Sequence, residues 1–300
     1  MKFISAVFLL LFITSCSFNR QFYRPDKFSE DMKLITISIA KGDTVLLHLE
    51  GKEHRAFFTD TKNLPKSFGY SIETVPIAST NGNKLYGWFL KPDNNPNPKI
   101  TLLFLHGNGA NIFNHLTLAT PLVKQGFQVL LIDYSGFGFS TGKPTRKNMV
   151  SDANAALNLM RSRPDVQKTK ILIYGQSIGG QLAAEVARIN EQNIDGLVME
   201  GAPSSHKDIA AYNVRPFGFA ARVFVHEGYA AKKAIKGFHK NVLLIHSTED
   251  KVAPFSMGQK IYSQANEPKT FYAIKHEHIY GPIFYADSIA YKIQAMVDEH

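Results

Sequence analysis

A single cysteine, Cys16, stands in 300 residues. One thiol allows no intramolecular disulfide, so an oxidising compartment is permitted but not exploited. Acidic side chains are the scarcer sign, 25 Asp and Glu against 34 Lys and Arg, for a formal charge of +9. Such an excess fits nucleic acid, an anionic membrane surface or simple solubility. The basic residues are scattered, in short pairs such as Lys232 and Lys233, with no basic stripe interleaved with exposed aromatics, which argues against nucleic acid. No internal repeat is present, and no Walker lysine pattern follows the glycines Gly136 and Gly138 after Asp133. At 44% hydrophobic residues the chain is rich enough for a large core and not composed for disorder.

What is present begins at the N-terminus. Lys2 supplies a positive start, residues 3–13 an apolar run too short to span a bilayer, and Thr14 and Ser15 a small, processable end before Cys16. The string Ile13, Thr14, Ser15, Cys16 resembles the lipobox of bacterial lipoproteins, with Ile13 where leucine is commonest and Ser15 where glycine or alanine is. The resemblance implies cleavage after residue 15, a diacylglyceryl group on the Cys16 thiol and an acylated new amino group. Each buried methylene of such chains contributes about 0.8 kcal/mol to membrane binding. Ser17 is not the aspartate that favours inner-membrane retention, so the expected place is the bacterial cell envelope, leaning to the outer membrane.

Four stretches follow: signal peptide 1–15, polar tether 16–32, N-terminal strand extension 33–66 and main domain 67–300. Residues 34–39 and 44–49 read as two strands around a turn, an antiparallel ribbon that is either a small separate module or, the preferred placing, extra strands on the edge of the main sheet. A hairpin is expected over 70–77 and 85–90 around Asn81 and Gly82. Strands then alternate with helices to the C-terminus. That rhythm predicts an α/β fold with a mainly parallel, doubly wound sheet. Residues 203–239 break it with a cluster of aromatics, and predict a short cap over the carboxyl ends of the strands, where open α/β sheets bind ligands.

Residues 171–180 read as a buried strand, a sharp turn and the start of a helix, with Ser177 at the turn between Gly175 and Gly179. Such a G-x-S-x-G turn needs small residues beside the serine, because the backbone is strained and the next helix packs close. A serine hydroxyl is a poor nucleophile at neutral pH, so it needs a histidine base, and the histidine needs an acid to fix its tautomer. Downstream, Asp250 lies in a turn after a strand and is the preferred acid; Glu200, at the end of the preceding strand, is its rival. His276 and His278 both follow the last strand and spacing alone does not separate them. His278, farther along the loop, is preferred. Two backbone amides are needed for an oxyanion, from Ile178 after the serine and from Asn108 in the Gly-rich loop 105–111. His106 and His246 are read as structural, as strand-end imidazoles bridging loops.

Taken together, the strings HGNGAN, DYSGFGFS, GQSIGG, HSTED and KHEHIYGP resemble small-cap α/β-hydrolases related to eukaryotic membrane-associated depalmitoylases and to bacterial peptidase-like and esterase-like hydrolases. The resemblance covers residues 70–300. It implies an α/β-hydrolase fold, a triad of Ser177, Asp250 and His278, oxyanion amides at Asn108 and Ile178, and no metal or organic cofactor. The expected function is a membrane-anchored serine hydrolase of acyl esters or thioesters, acting on a small-molecule or lipid-like acyl substrate. A serine peptidase or amidase of the same fold, and a non-catalytic surface-anchored binding protein, are the alternatives.

Overall fold

The computed structural model describes residues 22–38, 44–95 and 98–298. Cys16 and the leader lie outside the described residues. In chain order the strands are β1 (Arg24–Pro25), β2 (Leu34–Ser38), β3 (Thr44–Glu50), β4 (Arg55–Asp60), β5 (Tyr70–Ala78), β6 (Lys84–Pro92), β7 (Ile100–Leu105), β8 (Gly109–Ala110), β9 (Gln128–Asp133), β10 (Lys170–Gln176), β11 (Gly196–Glu200), β12 (Asn241–Ser247) and β13 (Lys269–Ile274). Eight of them form one sheet in the order β13-β12-β11-β10-β7-β9-β6-β5. Only β6 runs against its neighbours β5 and β9; β7 and β9 to β13 are parallel.

The central strands β7, β9, β11 and β12 are buried at every position and mostly apolar, because helices cover both faces. In β10, Ile171 and Ile173 enter the core beneath helices Arg146–Ser162 and Ile178–Ile189. Their neighbours Leu172 and Tyr174 enter the opposite core, which helices Ile112–Lys124 and Gly281–Asp298 close. The period of two thus sends alternate side chains to two cores, and the strand ends between them are held rigidly.

The N-terminal extension differs from its expected place. It is a sheet of its own, order β2-β3-β4 and antiparallel, with a third strand that the sequence pattern did not announce. Val45, Leu47 and Leu49 alternate inward and are fully buried with Trp88 and Leu102 in the second core, so the extension covers the outside of the main sheet instead of lengthening it. Residues 22–32, expected as tether, are laid against the body as well. Tyr23 is buried, β1 pairs in parallel with β8, and Phe28 N–H donates to the Gly138 carbonyl. Their polarity reflects an edge segment that sends one side chain in and the next out. Within the cap, three short helices, His206–Asn213, Gly218–Phe224 and Ala231–Ala234, fold over the strand ends.

Candidate active site

β10 delivers Ser177 into a turn with φ 54°, a left-handed conformation that a serine adopts only under constraint. The constraint is close packing. A Cβ on Gly175 would lie 2.5 Å from that of Ala183, and one on Gly179 would overlap the carbonyl oxygens of Leu105 and His106. The Ser177 N–H donates to the Glu200 carbonyl at 2.9 Å, which ties the turn to β11.

Beside it, His278 Nε2 lies 2.9 Å from Ser177 Oγ, and His278 Nδ1 lies 2.6 Å from Asp250 Oδ2. The Asp250 side chain is fully buried, and its other oxygen accepts the N–H groups of Val252 and Ala253, each at 2.8 Å. A carboxylate held as acceptor on both oxygens leaves the His278 proton on Nδ1 and turns the Nε2 lone pair towards the serine hydroxyl. The line Ser177–His278–Asp250 therefore has the tautomer that a general base requires.

His276 is turned elsewhere. Its backbone has φ 85°, its ring stacks on Phe284 at 3.8 Å, and its N–H donates to Glu249 at 3.1 Å. The chain has left the strand by then, so the alternation that would put both imidazoles on one face no longer holds. Glu200 is buried and does not reach the imidazole of His278 by hydrogen bond; it holds the loop that carries it. Its Oε1 accepts the Gly281 N–H at 2.7 Å, and its Oε2 accepts Tyr174 Oη–H and Gln176 Nε2–H, both at 2.7 Å. Gln176 reaches on to the Ile279 carbonyl at 3.1 Å, where the backbone has φ 57°, a costly value for a β-branched residue. Burial pushes the Glu200 carboxyl up, opposed by these three donors and by His278. This latch around residues 279–281 was not visible in the sequence.

Across from the Ser177 turn, the loop after β7 lies against the serine; a Cβ on Gly107 would be 3.5 Å from the serine Cβ. Among the described residues no hydrogen bond engages the N–H of Asn108 or of Ile178, while the Asn108 carbonyl accepts from Arg24 N–H at 2.7 Å. Both amides are thus available beside the serine. The fully buried His106 supports this loop, with Nδ1 2.9 Å from the Gly107 carbonyl and its ring stacked on His115 at 4.6 Å. Burial drives both imidazoles down, so they remain neutral and add no cation to the loop. His246 packs behind Asp250, its Nε2 2.8 Å from the Ala253 carbonyl. Asp133 accepts the first N–H of helix Ile112–Lys124 at 2.9 Å, and burial raises its carboxyl well above the usual range. Asp133 therefore serves the start of that helix. Among the described residues no group of three or more His, Cys, Asp or Glu side chains could hold a metal ion.

The site opens into a cavity of 670 Å³, walled by Leu118, Ile209 and Val214 and by Phe22 and Arg24 from the N-terminal segment. Phe22 and Arg24 were missed as site residues. Their only sequence signal is an aromatic pair, Phe22 and Tyr23, inside an otherwise polar stretch.

Residues 96–226 match the family described as serine aminopeptidase, S33. The protein YfhR of Escherichia coli strain K12 is 32% identical over 215 residues, covering 70% of this chain and 74% of its own length. The chain belongs to the α/β-hydrolase family. Protein bem46 of Schizosaccharomyces pombe is 30% identical over 193 residues, 63% of this chain and 64% of its own. The human alpha/beta hydrolase domain-containing protein 17B is 29% identical over 199 residues, 66% of each chain. Among solved structures, an esterase of Pyrococcus furiosus superposes with a TM-score of 0.62 at 18% identity, covering 77% of this chain and 93% of that one. That likeness is one of fold, the α/β-hydrolase fold.

Proposed function

We propose that this α/β-hydrolase is a serine hydrolase that cleaves carboxylic esters or thioesters through an acyl-enzyme. The single observation that carries the reading is the unbroken pair of short hydrogen bonds from Ser177 through His278 to Asp250. Ser177 Oγ attacks the acyl carbonyl carbon as its proton passes to His278 Nε2, and Asp250 stabilises the imidazolium. The carbonyl oxygen takes the negative charge between the amides of Asn108 and Ile178. Collapse breaks the bond to the leaving oxygen or sulfur, which receives the proton from His278. Water then repeats the sequence on the acyl-enzyme and releases the acid, with no metal or cofactor in either half.

The apolar cavity walls support an acyl chain of lipid-like character, palmitate among the candidates. The lipobox-like string at Cys16 supports attachment of the protein to a membrane of the cell envelope through a lipid. No helix among the described residues is long and apolar enough to cross a membrane.

A second reading, cleavage of aminoacyl amides, is favoured by the description of the matched family. Against it, the cavity lining contains Arg24 but no Asp or Glu to receive a substrate ammonium group. A panel of acyl esters, acyl thioesters and aminoacyl amides separates the two. Turnover confined to the amides overturns the ester reading, and no turnover of any of them brings forward a non-catalytic binding protein.

A further inference from the structure

The two cap helices His206–Asn213 and Gly218–Phe224 pack on each other, and their sides have opposite character. Inward, Ile209, Ala210 and Val214 wall the cavity beside Ser177. Outward, Phe217 is 75% exposed, Phe219 82% and Val223 62%, the first two being the most exposed large hydrophobic side chains among the described residues. Isolated exposed apolar residues need no explanation, but three at the tip of one hairpin make a patch that water does not favour.

Within the tip segment itself the charge is of one sign. Residues 212–224 contain Arg215 and Arg222 and no Asp or Glu. Behind them Arg222, Lys232 and Lys260 converge on one buried carboxylate, Asp208, at 3.1, 2.6 and 3.0 Å. Three cations on one anion leave positive charge in excess. An apolar tip ringed by arginines is complementary to a bilayer whose headgroups are anionic, where the chains take the phenyl rings and the phosphates take the guanidinium groups.

The path of the chain points the same way. Phe22, the first described residue, packs against Ala221 and Val225 of the cap and edge-on to His206, with ring centroids 5.1 Å apart. Cys16 is six residues upstream, so it lies within about 20 Å of that contact even if the chain between is fully extended. A membrane that holds Cys16 or the apolar run before it therefore has the cap within reach.

We infer that the cap tip, residues 215–223, docks on the surface of an anionic phospholipid bilayer, with Phe217, Phe219 and Val223 among the acyl chains and Arg215 and Arg222 at the headgroups. Docked in this way, the wall shared with the cavity faces the lipid, and an acyl substrate passes from the bilayer to Ser177 without crossing water. The inference goes beyond the hydrolase reading and does not depend on turnover.

The test uses fluorescence from the tip itself. Trp88 is the chain's one tryptophan and is fully buried, so its emission is a constant background, subtracted with the parent protein under the same conditions. In full-length Phe219→Trp protein, vesicles of phosphatidylethanolamine containing phosphatidylglycerol are expected to shift the new emission to the blue, and brominated acyl chains to quench it. Charge reversal at both Arg215 and Arg222 is expected to weaken this partition by about tenfold or more, and phosphatidylcholine vesicles to give a weaker response. Unchanged emission, whether or not the protein sediments with the vesicles, overturns the inference. So does a blue shift without lipid that grows with protein concentration, which would assign the patch to a second copy of the chain. The readout is the same in a Ser177→Ala background, so failure of docking and failure of the hydrolase reading are told apart.

Discussion

Asp250 and Glu200 stand at the ends of adjacent parallel strands, β12 and β11, and both are buried within reach of the segment that carries His278. Asp250 bonds the imidazole itself, at 2.6 Å. Glu200 bonds the backbone one and three residues further on, through Gln176 to Ile279 and to Gly281 directly, while its own carbonyl holds the Ser177 N–H. One carboxylate therefore sets the proton on His278 and the other sets where His278 stands. The difference teaches that a strand-end position does not decide a role. The atoms that each carboxylate meets decide it, and those depend on how far past the strand the chain turns.

The comparison is broken most severely at Asp250. Asp250→Asn presents an amide where the Nδ1 proton needs an acceptor, and kcat for an ester substrate is expected to fall by about 10³–10⁴ with the protein still folded. Equal activity of the variant would hand the acid's role to Glu200. A smaller and different loss is expected for Glu200→Gln, because one of three donors then faces an N–H₂ group. Unfolding free energy should drop by about 1–3 kcal/mol, and kcat should fall by about tenfold from loosening of the 279–281 segment. The two variants also part in their dependence on pH. Burial raises the Glu200 carboxyl, so the folded state holds that proton more tightly than the unfolded one. Its contribution to stability is therefore greatest below the ordinary carboxylate range and is lost as pH rises through the raised value. Denaturant titrations should show that trend flattened in Glu200→Gln and retained in Asp250→Asn.

The smallest effect lies outside the pair, in the cap. Burial lowers the His206 imidazole to about 3, with Arg146 adding to the shift. The unfolded chain takes up this proton at about pH 6.5 and the folded one does not, so stability is complete above that pH and is lost as pH falls towards 3. His206→Phe, in a ring site bounded by Phe22 and Tyr229, should cost about 1 kcal/mol at neutral pH and make the acid limb shallower. An unchanged acid limb would show that His206 is not the group responsible.

Much of this arrangement was legible because it rests on local backbone demands. The glycines around Ser177 are dictated by an overlap that any larger residue would create, and the alternation of strands and helices follows from covering both faces of a parallel sheet. The Glu200 latch was not legible, since its partner Gly281 is 81 residues away and nothing in the local pattern of either announces the other. The placement of residues 24–26 on the loop after β7 is of the same kind. A ladder of two residues, Arg24 and Pro25, is too short to leave a periodic signature. β4 escaped notice because its run Arg55–Asp60 is short and begins and ends with a charge. The preference for His278 over His276 turned on the backbone reversal at His276, a feature of conformation and not of spacing.

The central claim is that Ser177 is an activated nucleophile, and intact-mass analysis after fluorophosphonate treatment tests it most directly. Wild-type protein is predicted to gain one adduct and Ser177→Ala none. An adduct that persists in Ser177→Ala, or its absence from a folded wild-type protein with an open cavity, would contradict the account.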